Sequence, residues 1–137
     1  MYCAWLLAER ASEILPDMSS TYSAAVLDHF QKPRNAGDLP SATAQVEVTN
    51  PVCGDVLRLG VRVAGDRVVE ARFKAQGCVS SIACGSWLTE WMPGKTAAEL
   101  NGLAPERIAE GLGGLAPASF HAAELACDAL RMLMSKL

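Results

Sequence analysis

Residues 57–74 read LRLGVRVAGDRVVEARFK, and this segment shows the clearest periodicity in the chain. Apolar residues alternate with polar ones on both sides of an Ala64-Gly65-Asp66 turn: Leu57, Leu59, Val61 and Val63 with Arg58 and Arg62, then Val69, Ala71 and Phe73 with Glu70, Arg72 and Lys74. Successive side chains of a strand point to opposite faces of a sheet. The segment therefore predicts an antiparallel hairpin with one buried face.

The segments around this hairpin complete the predicted fold. Residues 45–49 also alternate and end at the Asn50-Pro51 turn, which predicts another strand. Helical spacing predicts a helix over residues 22–31 capped by Thr21, and four helices after Cys78: one closed by Pro93-Gly94, one from a Thr96 cap through Leu100, one from Pro105 to about Leu112, and one after Pro117 and Ser119. We expect an α+β fold with helices packed on one face of a three-stranded antiparallel sheet.

Composition limits the classes of function. A chain of 137 residues makes one ordinary domain, and 50% hydrophobic with 20% charged residues argues against disorder. The net charge of -3 argues against a nucleic-acid partner. Five cysteines at irregular spacing, without a secretion signal, fit a reducing compartment. We expect a cytoplasmic protein with no membrane partner.

The first residues differ from the rest of the chain. We divide the sequence into an N-terminal extension, residues 1–20, and a domain at residues 21–137. Apolar residues of the extension recur at helical spacing before Pro16, which predicts a short amphipathic helix. The alternative is an appended leader with no function of its own.

Four residues suggest a metal site. Cys53 precedes Gly54 in a loop before a strand, and Asp55 follows two residues later. Cys78 starts a helix, where free backbone N–H groups and the helix dipole should favour its thiolate. His121 lies in the first turn of the last helix. Two sulfurs, one oxygen and one nitrogen would satisfy tetrahedral zinc, and thiolates are also the usual ligands of iron–sulfur clusters.

Simpler interpretations stand beside this one. A free cysteine is often a small buried hydrophobic residue, and we expect this of Cys84 and Cys127. Asp55 could simply bond nearby backbone groups. His29 is expected on the surface or at a cap. Trp87 and Trp91, four residues apart on one helix, are expected to pack in the core or at an interface.

A series of short motifs, in the same order along the chain, resembles the pattern of a known protein family. Residues 22–137 resemble the IscU/NifU-type iron–sulfur cluster assembly scaffold family through these residues: Tyr22-Ser23, Asp28-His29-Phe30, Pro33-Arg34-Asn35, Cys53-Gly54-Asp55, Ala71-Arg72-Phe73-Lys74, Gly77-Cys78, Thr89-Glu90-Trp91, Gly94-Lys95, His121 and Asp128-Ala129. The resemblance implies an α+β scaffold that is not an enzyme. It also implies the partners and ligands of that family, in which a cysteine desulfurase delivers sulfur as persulfide, three cysteines hold the cluster, an aspartate keeps it labile, and acceptor proteins receive it.

Two departures from the family pattern qualify what the resemblance implies. Cys53, Asp55 and Cys78 match the family's first two cysteines and its aspartate, and His121 matches the histidine before the third cysteine. The third cysteine itself falls on Ala122, which argues against complete cluster assembly. The segment that engages an Hsp70-type chaperone in the family is altered at residues 115–119, which argues against that partner as well.

The leading hypothesis is an iron–sulfur scaffold or carrier that holds iron or a labile [2Fe-2S] cluster through Cys53, Cys78, His121 and Asp55. Zinc is a possible metal in the protein as isolated, and a second chain in a homodimer could complete the ligand set. The rival hypothesis is a diverged zinc-binding or regulatory paralogue that assembles no cluster. A third is a purely structural interaction domain.

Overall fold

The structure is a computed structural model that describes residues 22–51 and 54–137. Within these residues the chain forms five α-helices, three strands and a short 3-10 helix. In chain order they are α1 (Ala24–Gln31), β1 (Ala44–Thr49), β2 (Val56–Ala64), β3 (Arg67–Gln76), α2 (Val79–Trp91), α3 (Ala97–Asn101), α4 (Pro105–Gly111), the 3-10 helix (Pro117–Ser119) and α5 (Phe120–Met134). The α+β class is confirmed.

The sheet is antiparallel throughout, with strand order β1-β2-β3. Leu59 at its centre pairs with Val46 on one side and with Phe73 on the other. All three side chains are buried, whereas Glu47 and Arg58 form an ion pair on the opposite, solvent-facing side. The alternating pattern therefore arises from a sheet with one buried face, as the sequence predicts.

Val69 is the one residue of the hairpin for which the predicted buried face is wrong. Val69 was expected on the buried face with Ala71 and Phe73, but its side chain is 43% exposed. The register shifts here: Arg62 pairs with Glu70, while Val63 pairs with Val68. Val69 is thus the extra residue of a β-bulge, and Val68 takes its place in the core.

Two helices cover the buried face of the sheet. α5 packs on β1 and β2, and α2 packs on β3, on α5 and on α1. Gly85 lets α2 approach the sheet closely, because a β-carbon there would overlap the ring of Phe73. Cys84 and Cys127 lie in the same core with 0% and 1% exposure, so their predicted role as buried packing residues is confirmed.

Trp87 and Trp91 stack on one side of α2, with ring centroids 6.0 Å apart. Both are half-buried and pack against the core, as predicted. Lys95 lies over the Trp91 ring and Arg107 over the Trp87 ring, at 4.8 and 5.4 Å from the centroids. Gly111 lies under the Trp87 indole, which leaves no room for a β-carbon at that position.

The first helix begins later than predicted. Ser23, not Thr21, caps α1, because its hydroxyl oxygen accepts a hydrogen bond from the Val26 N–H at 3.0 Å. The same hydroxyl donates to the carbonyl of Leu112 at 2.5 Å and so joins α1 to the end of α4. Thr21 and the predicted N-terminal extension lie outside the described residues.

His29 is not the surface or capping residue that was expected. It is 7% exposed, and its Nδ1 lies 2.7 Å from the hydroxyl oxygen of Ser86 on α2. That oxygen also accepts a hydrogen bond from the Arg34 N–H at 2.9 Å. The Nε2 atom of His29 faces Glu90 at 3.8 Å. His29 thus links α1 to α2, and burial lowers the pKa of its imidazole below the ordinary value.

In the part of the chain that the structure describes, no helix combines the length and the apolar character that a membrane crossing requires.

Candidate metal centre

Asp55 lies immediately before β2 and is held there by its backbone. The Asn50 N–H donates to the Asp55 carbonyl, and the Gly54 N–H donates to the Asn50 carbonyl, both at 2.8 Å. These bonds tie residues 50, 54 and 55 together. Cys53, the other predicted ligand in this segment, lies outside the described residues. The Asp55 side chain is buried, with a residue exposure of 5%. A carboxylate at this depth needs polar partners.

Cys78 caps the N-terminus of α2 and supplies the first of these partners. Its Sγ donates to Oδ2 of Asp55 at 3.3 Å and lies 3.4 Å from Oγ of Ser81. The helix start points the thiol toward the carboxylate at the neighbouring end of the sheet.

The ionisation of Cys78 differs from the sequence-based expectation. We expected the helix start to favour the thiolate, but burial raises the pKa of the thiol, and the nearby charge of Asp55 raises it further. Hydrogen bonds from Ser81 act in the opposite direction and are outweighed. The thiol therefore keeps its proton at neutral pH and donates it to Asp55. A bound cation would displace that proton.

His121 reaches the site from the first turn of α5. Its Nδ1 lies 2.9 Å from the carbonyl oxygen of Ala118, in the 3-10 helix that precedes α5. A carbonyl only accepts hydrogen bonds, so Nδ1 carries the proton of the neutral ring. The other nitrogen, Nε2, lies 3.5 Å from Oδ2 of Asp55. This tautomer leaves the lone pair of Nε2 free to bind a metal ion.

The three side chains form one group of potential metal ligands. One ligand atom from each of Asp55, Cys78 and His121 lies within 4.8 Å of the others. Sulfur, imidazole nitrogen and carboxylate oxygen together suit zinc and iron better than magnesium or calcium, which prefer oxygen alone. The donor chemistry of the described residues therefore fits a transition metal.

The other two free cysteines of the described residues are not part of this ligand group. Cys84 and Cys127 are buried in the core, where burial raises the pKa of both thiols, to about 11 for Cys127. Ala122, the residue after His121, is itself 1% exposed.

Two residues at the site were missed by the sequence interpretation. The Ser81 hydroxyl donates to Oδ2 of Asp55 at 2.6 Å, which is shorter than the contacts from Cys78 or His121. Its position three residues after Cys78 was the available signal, because residues at i and i+3 share a helix face. The Ala118 carbonyl could not have been identified in this way, since its role depends on the path of the backbone.

Comparison with known sequences places this chain in a family. The sequence model described as "NifU-like N terminal domain" matches residues 21–136. This chain belongs to that family.

Curated members of the family cover most of the chain. Iron–sulfur cluster assembly scaffold protein IscU 1 of Archaeoglobus fulgidus is 42% identical over 110 residues, which are 80% of this chain and 72% of that protein. The scaffold protein IscU of Azotobacter vinelandii is 42% identical over 114 residues, 80% of this chain and 88% of the relative. Its Escherichia coli K12 counterpart is 40% identical over the same shares.

Solved structures give the same fold. The N-terminal NifU-like protein from Brucella abortus superposes with a TM-score of 0.71 at 19% identity, over 87% of this chain and 95% of that one. A putative iron–sulfur cluster assembly scaffold protein for the SUF system from Fervidobacterium islandicum also gives 0.71, at 21% identity, over 85% and 98% of the two chains. The NifU-like fold class predicted from the sequence is confirmed.

Proposed function

We propose that this chain is an iron–sulfur cluster assembly scaffold or carrier, which holds iron or a [2Fe-2S] cluster as cargo and passes it to acceptor proteins. Family membership supports this role, because relatives about 40% identical over most of the chain are named as such scaffolds. Those relatives are named as scaffolds, not as enzymes. We therefore assign binding and transfer to the site.

The observation that carries the proposal is the meeting of Asp55, Cys78 and His121 at one point. They come from three separate elements: the loop before β2, the start of α2 and the start of α5. Packing of the helices on the sheet brings them together. A convergence that depends on the whole fold is what a preorganised binding site requires.

Each donor would contribute differently to the cargo. Cys78, with Cys53 as its proposed partner, supplies the soft sulfur ligands that iron–sulfur clusters prefer. The contact between Nδ1 of His121 and the Ala118 carbonyl favours the tautomer of the neutral ring that presents Nε2 as a ligand. Asp55 supplies a harder oxygen ligand, which suits entry of iron and release of the product.

The implied partners follow from the cargo. Sulfur must come from a donor, and we propose a cysteine desulfurase. We propose that the assembled cluster is transferred to apo-proteins, which hold it through their own cysteines. Because Ala122 stands where the family has a cysteine, we expect the cluster to be held less firmly here than on a three-cysteine scaffold.

Anaerobic reconstitution tests the proposal. The protein is incubated with ferrous iron and either sulfide or a desulfurase with cysteine, and cluster formation is followed by visible absorption and by transfer to an apo-ferredoxin. We expect one site per chain, with formation lost in Cys53→Ser and Cys78→Ser.

The matched control is Cys84→Ala, which removes a thiol from α2 outside the site and should assemble and transfer normally. Equal loss in all three variants would refute the site. Stable zinc binding through the same residues, with no cluster formed or transferred under any of these conditions, would instead identify a zinc-binding paralogue.

A further inference from the structure

Three side chains converge on a single oxygen atom of the site. Oδ2 of Asp55 lies 2.6 Å from Oγ of Ser81, 3.3 Å from Sγ of Cys78 and 3.5 Å from Nε2 of His121. The Ser81 contact is the shortest and has the length of a charge-assisted O–H···O⁻ hydrogen bond. Ser81 is therefore the strongest partner of the carboxylate.

Only one of these three contacts can persist once a cation binds. The Cys78 thiol loses its proton when its sulfur becomes a ligand, so it can no longer donate to Asp55. Nε2 of His121 carries a lone pair, which would turn to the cation. The Ser81 hydroxyl is not itself a ligand of the cation. It can continue to donate to the Asp55 carboxylate, because a carboxylate oxygen that binds a cation retains a second lone pair.

We propose that Ser81 is a positioning residue of the metal centre, which holds the Asp55 carboxylate in its ligand orientation. This inference rests on the proposed metal site and adds a role for a side chain that is not itself a ligand. Residues that orient ligands in this way commonly affect metal affinity almost as much as the ligands do.

The placement of Ser81 suits this role. It is 2% exposed and lies in the first turn of α2, where its N–H bonds to the carbonyl of Cys78 at 3.1 Å. One rigid helix turn thus carries both a ligand and the group that orients a second ligand. On its other side, the Asp55 carboxylate is confined by Gly77, where a β-carbon would overlap Oδ1. The carboxylate is held between Gly77 and Ser81.

The neighbouring serine provides a matched control. Ser80 is on the same turn and is 0% exposed, but its hydroxyl has no hydrogen-bond partner among the described residues. Ser80→Ala and Ser81→Ala therefore remove the same atom from the same helix at the same depth. Both replacements favour the helix, so folded variants are expected. The variants differ in the hydrogen bond to Asp55 and in the 3.4 Å contact between the Ser81 hydroxyl and Sγ of Cys78, which the double-mutant cycle below separates.

Zinc affinity measures the effect directly. Zn²⁺ alone is titrated into the full-length metal-free protein in competition with a chromophoric chelator, and the thermal midpoint of each metal-free variant is recorded. We expect Ser81→Ala to weaken zinc binding by about 10- to 100-fold. Ser80→Ala should leave the affinity unchanged.

A double-mutant cycle shows whether Ser81 acts through the carboxylate. If it does, Ser81→Ala should cost little or no further affinity in an Asp55→Ala background, because the group that it orients is already absent. The same loss of affinity in both backgrounds would overturn the assigned role. Unchanged affinity in the single variant would overturn it as well.

The parent protein and Cys78→Ser separate this inference from the proposed function. If Cys78→Ser loses zinc binding while Ser81→Ala does not, the metal centre stands and the role of Ser81 is refuted. If the parent protein binds no zinc, or Cys78→Ser binds it equally well, the proposed metal centre fails and the role of Ser81 falls with it.

Discussion

The carboxylate of Asp55 occupies the space where residue 77 would carry a β-carbon. Gly77 has φ +152°, which side chains rarely adopt, and a β-carbon built there would overlap Oδ1 and Cγ of Asp55. Gly77 therefore serves two needs at once: it allows the turn into α2 and it makes room for the buried carboxylate of Asp55. The Gly77-Cys78 pair of the sequence thus reflects a contact with Asp55 as well as a helix start.

Gly77→Ala should damage both stability and metal binding. The strained backbone alone costs about 1–3 kcal/mol of unfolding free energy. The added methyl group also displaces the Asp55 carboxylate from Cys78 and His121. We expect a lower urea midpoint together with a loss of zinc affinity, measured by chelator competition.

Gly65→Ala is the control for this substitution. Gly65 also has a positive φ, +64°, but a β-carbon there would meet nothing within 4 Å, and the residue lies in the hairpin turn. It should lose about 1–2 kcal/mol of stability from backbone strain and bind zinc like the parent. Zinc affinity that falls equally in both variants would show that the contact with Asp55 has no special effect.

The buried His29 predicts a pH-dependent stability near neutrality. Burial lowers the pKa of its imidazole, with a further contribution from Arg34, while Glu90 and Asp28 oppose the change. The unfolded chain has an ordinary pKa near 6.5 and therefore binds a proton more readily than the folded chain. The buried neutral imidazole therefore contributes fully to the free energy of unfolding above pH 6.5, and this contribution is lost as the pH falls below that value.

Urea unfolding at about pH 7.5 and about pH 5.5 brackets this transition. We expect the parent to be less stable at the lower pH, and His29→Gln to show a smaller difference between the two. The carboxyl groups of Asp28, Glu70 and Glu99 have lowered pKa values, so their contributions fade at more acidic pH. An identical pH dependence in His29→Gln would exclude the imidazole as its source.

Much of the fold could be predicted because local patterns and tertiary packing agree. Alternation at residues 57–74 identified the hairpin, and helical spacing located the helices, although α1 is capped by Ser23 and not by the predicted Thr21. The prediction failed at Val69, since a β-bulge is a property of strand pairing that one strand does not reveal. It failed again at His29, whose buried position depends on Ser86, more than fifty residues away in sequence.

The convergence of three of the four predicted site residues could be anticipated from the sequence, whereas the residues that surround them could not; the fourth, Cys53, lies outside the described residues. Asp55, Cys78 and His121 stood out as metal-binding residue types at turns and helix starts, and the structure brings them together. The protonated state of Cys78 was not predictable, because it depends on burial and on the nearby Asp55 charge, which oppose the helix dipole. The role of Ser81 required the geometry itself.

Asp55→Ala should lengthen the lifetime of a reconstituted cluster. A carboxylate is a harder and more exchangeable ligand for iron than a thiolate, and its oxygen lies between Cys78 and His121. Without it, we expect slower cluster loss to a chelator or to oxygen, followed by visible absorption, and slower transfer to an apo-ferredoxin. Faster loss than in the parent would show that Asp55 holds the cluster rather than keeping it labile.

Ala122→Cys tests the missing third thiol. Ala122 follows His121 on α5. By the resemblance described above, it stands at the position where the family pattern has its third cysteine. With only Cys53 and Cys78 as thiol ligands, a [2Fe-2S] cluster must complete its four protein ligands with His121 and an oxygen donor or a second chain. We expect Ala122→Cys to increase cluster yield and lifetime in a desulfurase-driven assay.

The burial of Ala122 limits the increase in cluster yield expected of Ala122→Cys, and a neighbouring buried alanine provides the control. Ala122 is 1% exposed, so an added sulfur must either fit between α5 and its neighbours or turn toward the site, and overpacking costs about 1–3 kcal/mol. Ala123→Cys, at a fully buried neighbouring position, bears the same cost and should give no gain in cluster yield. A parent that already assembles a stable cluster at full occupancy, with no change in Ala122→Cys, would mean that the site is completed in another way and that Ala122 marks no functional loss.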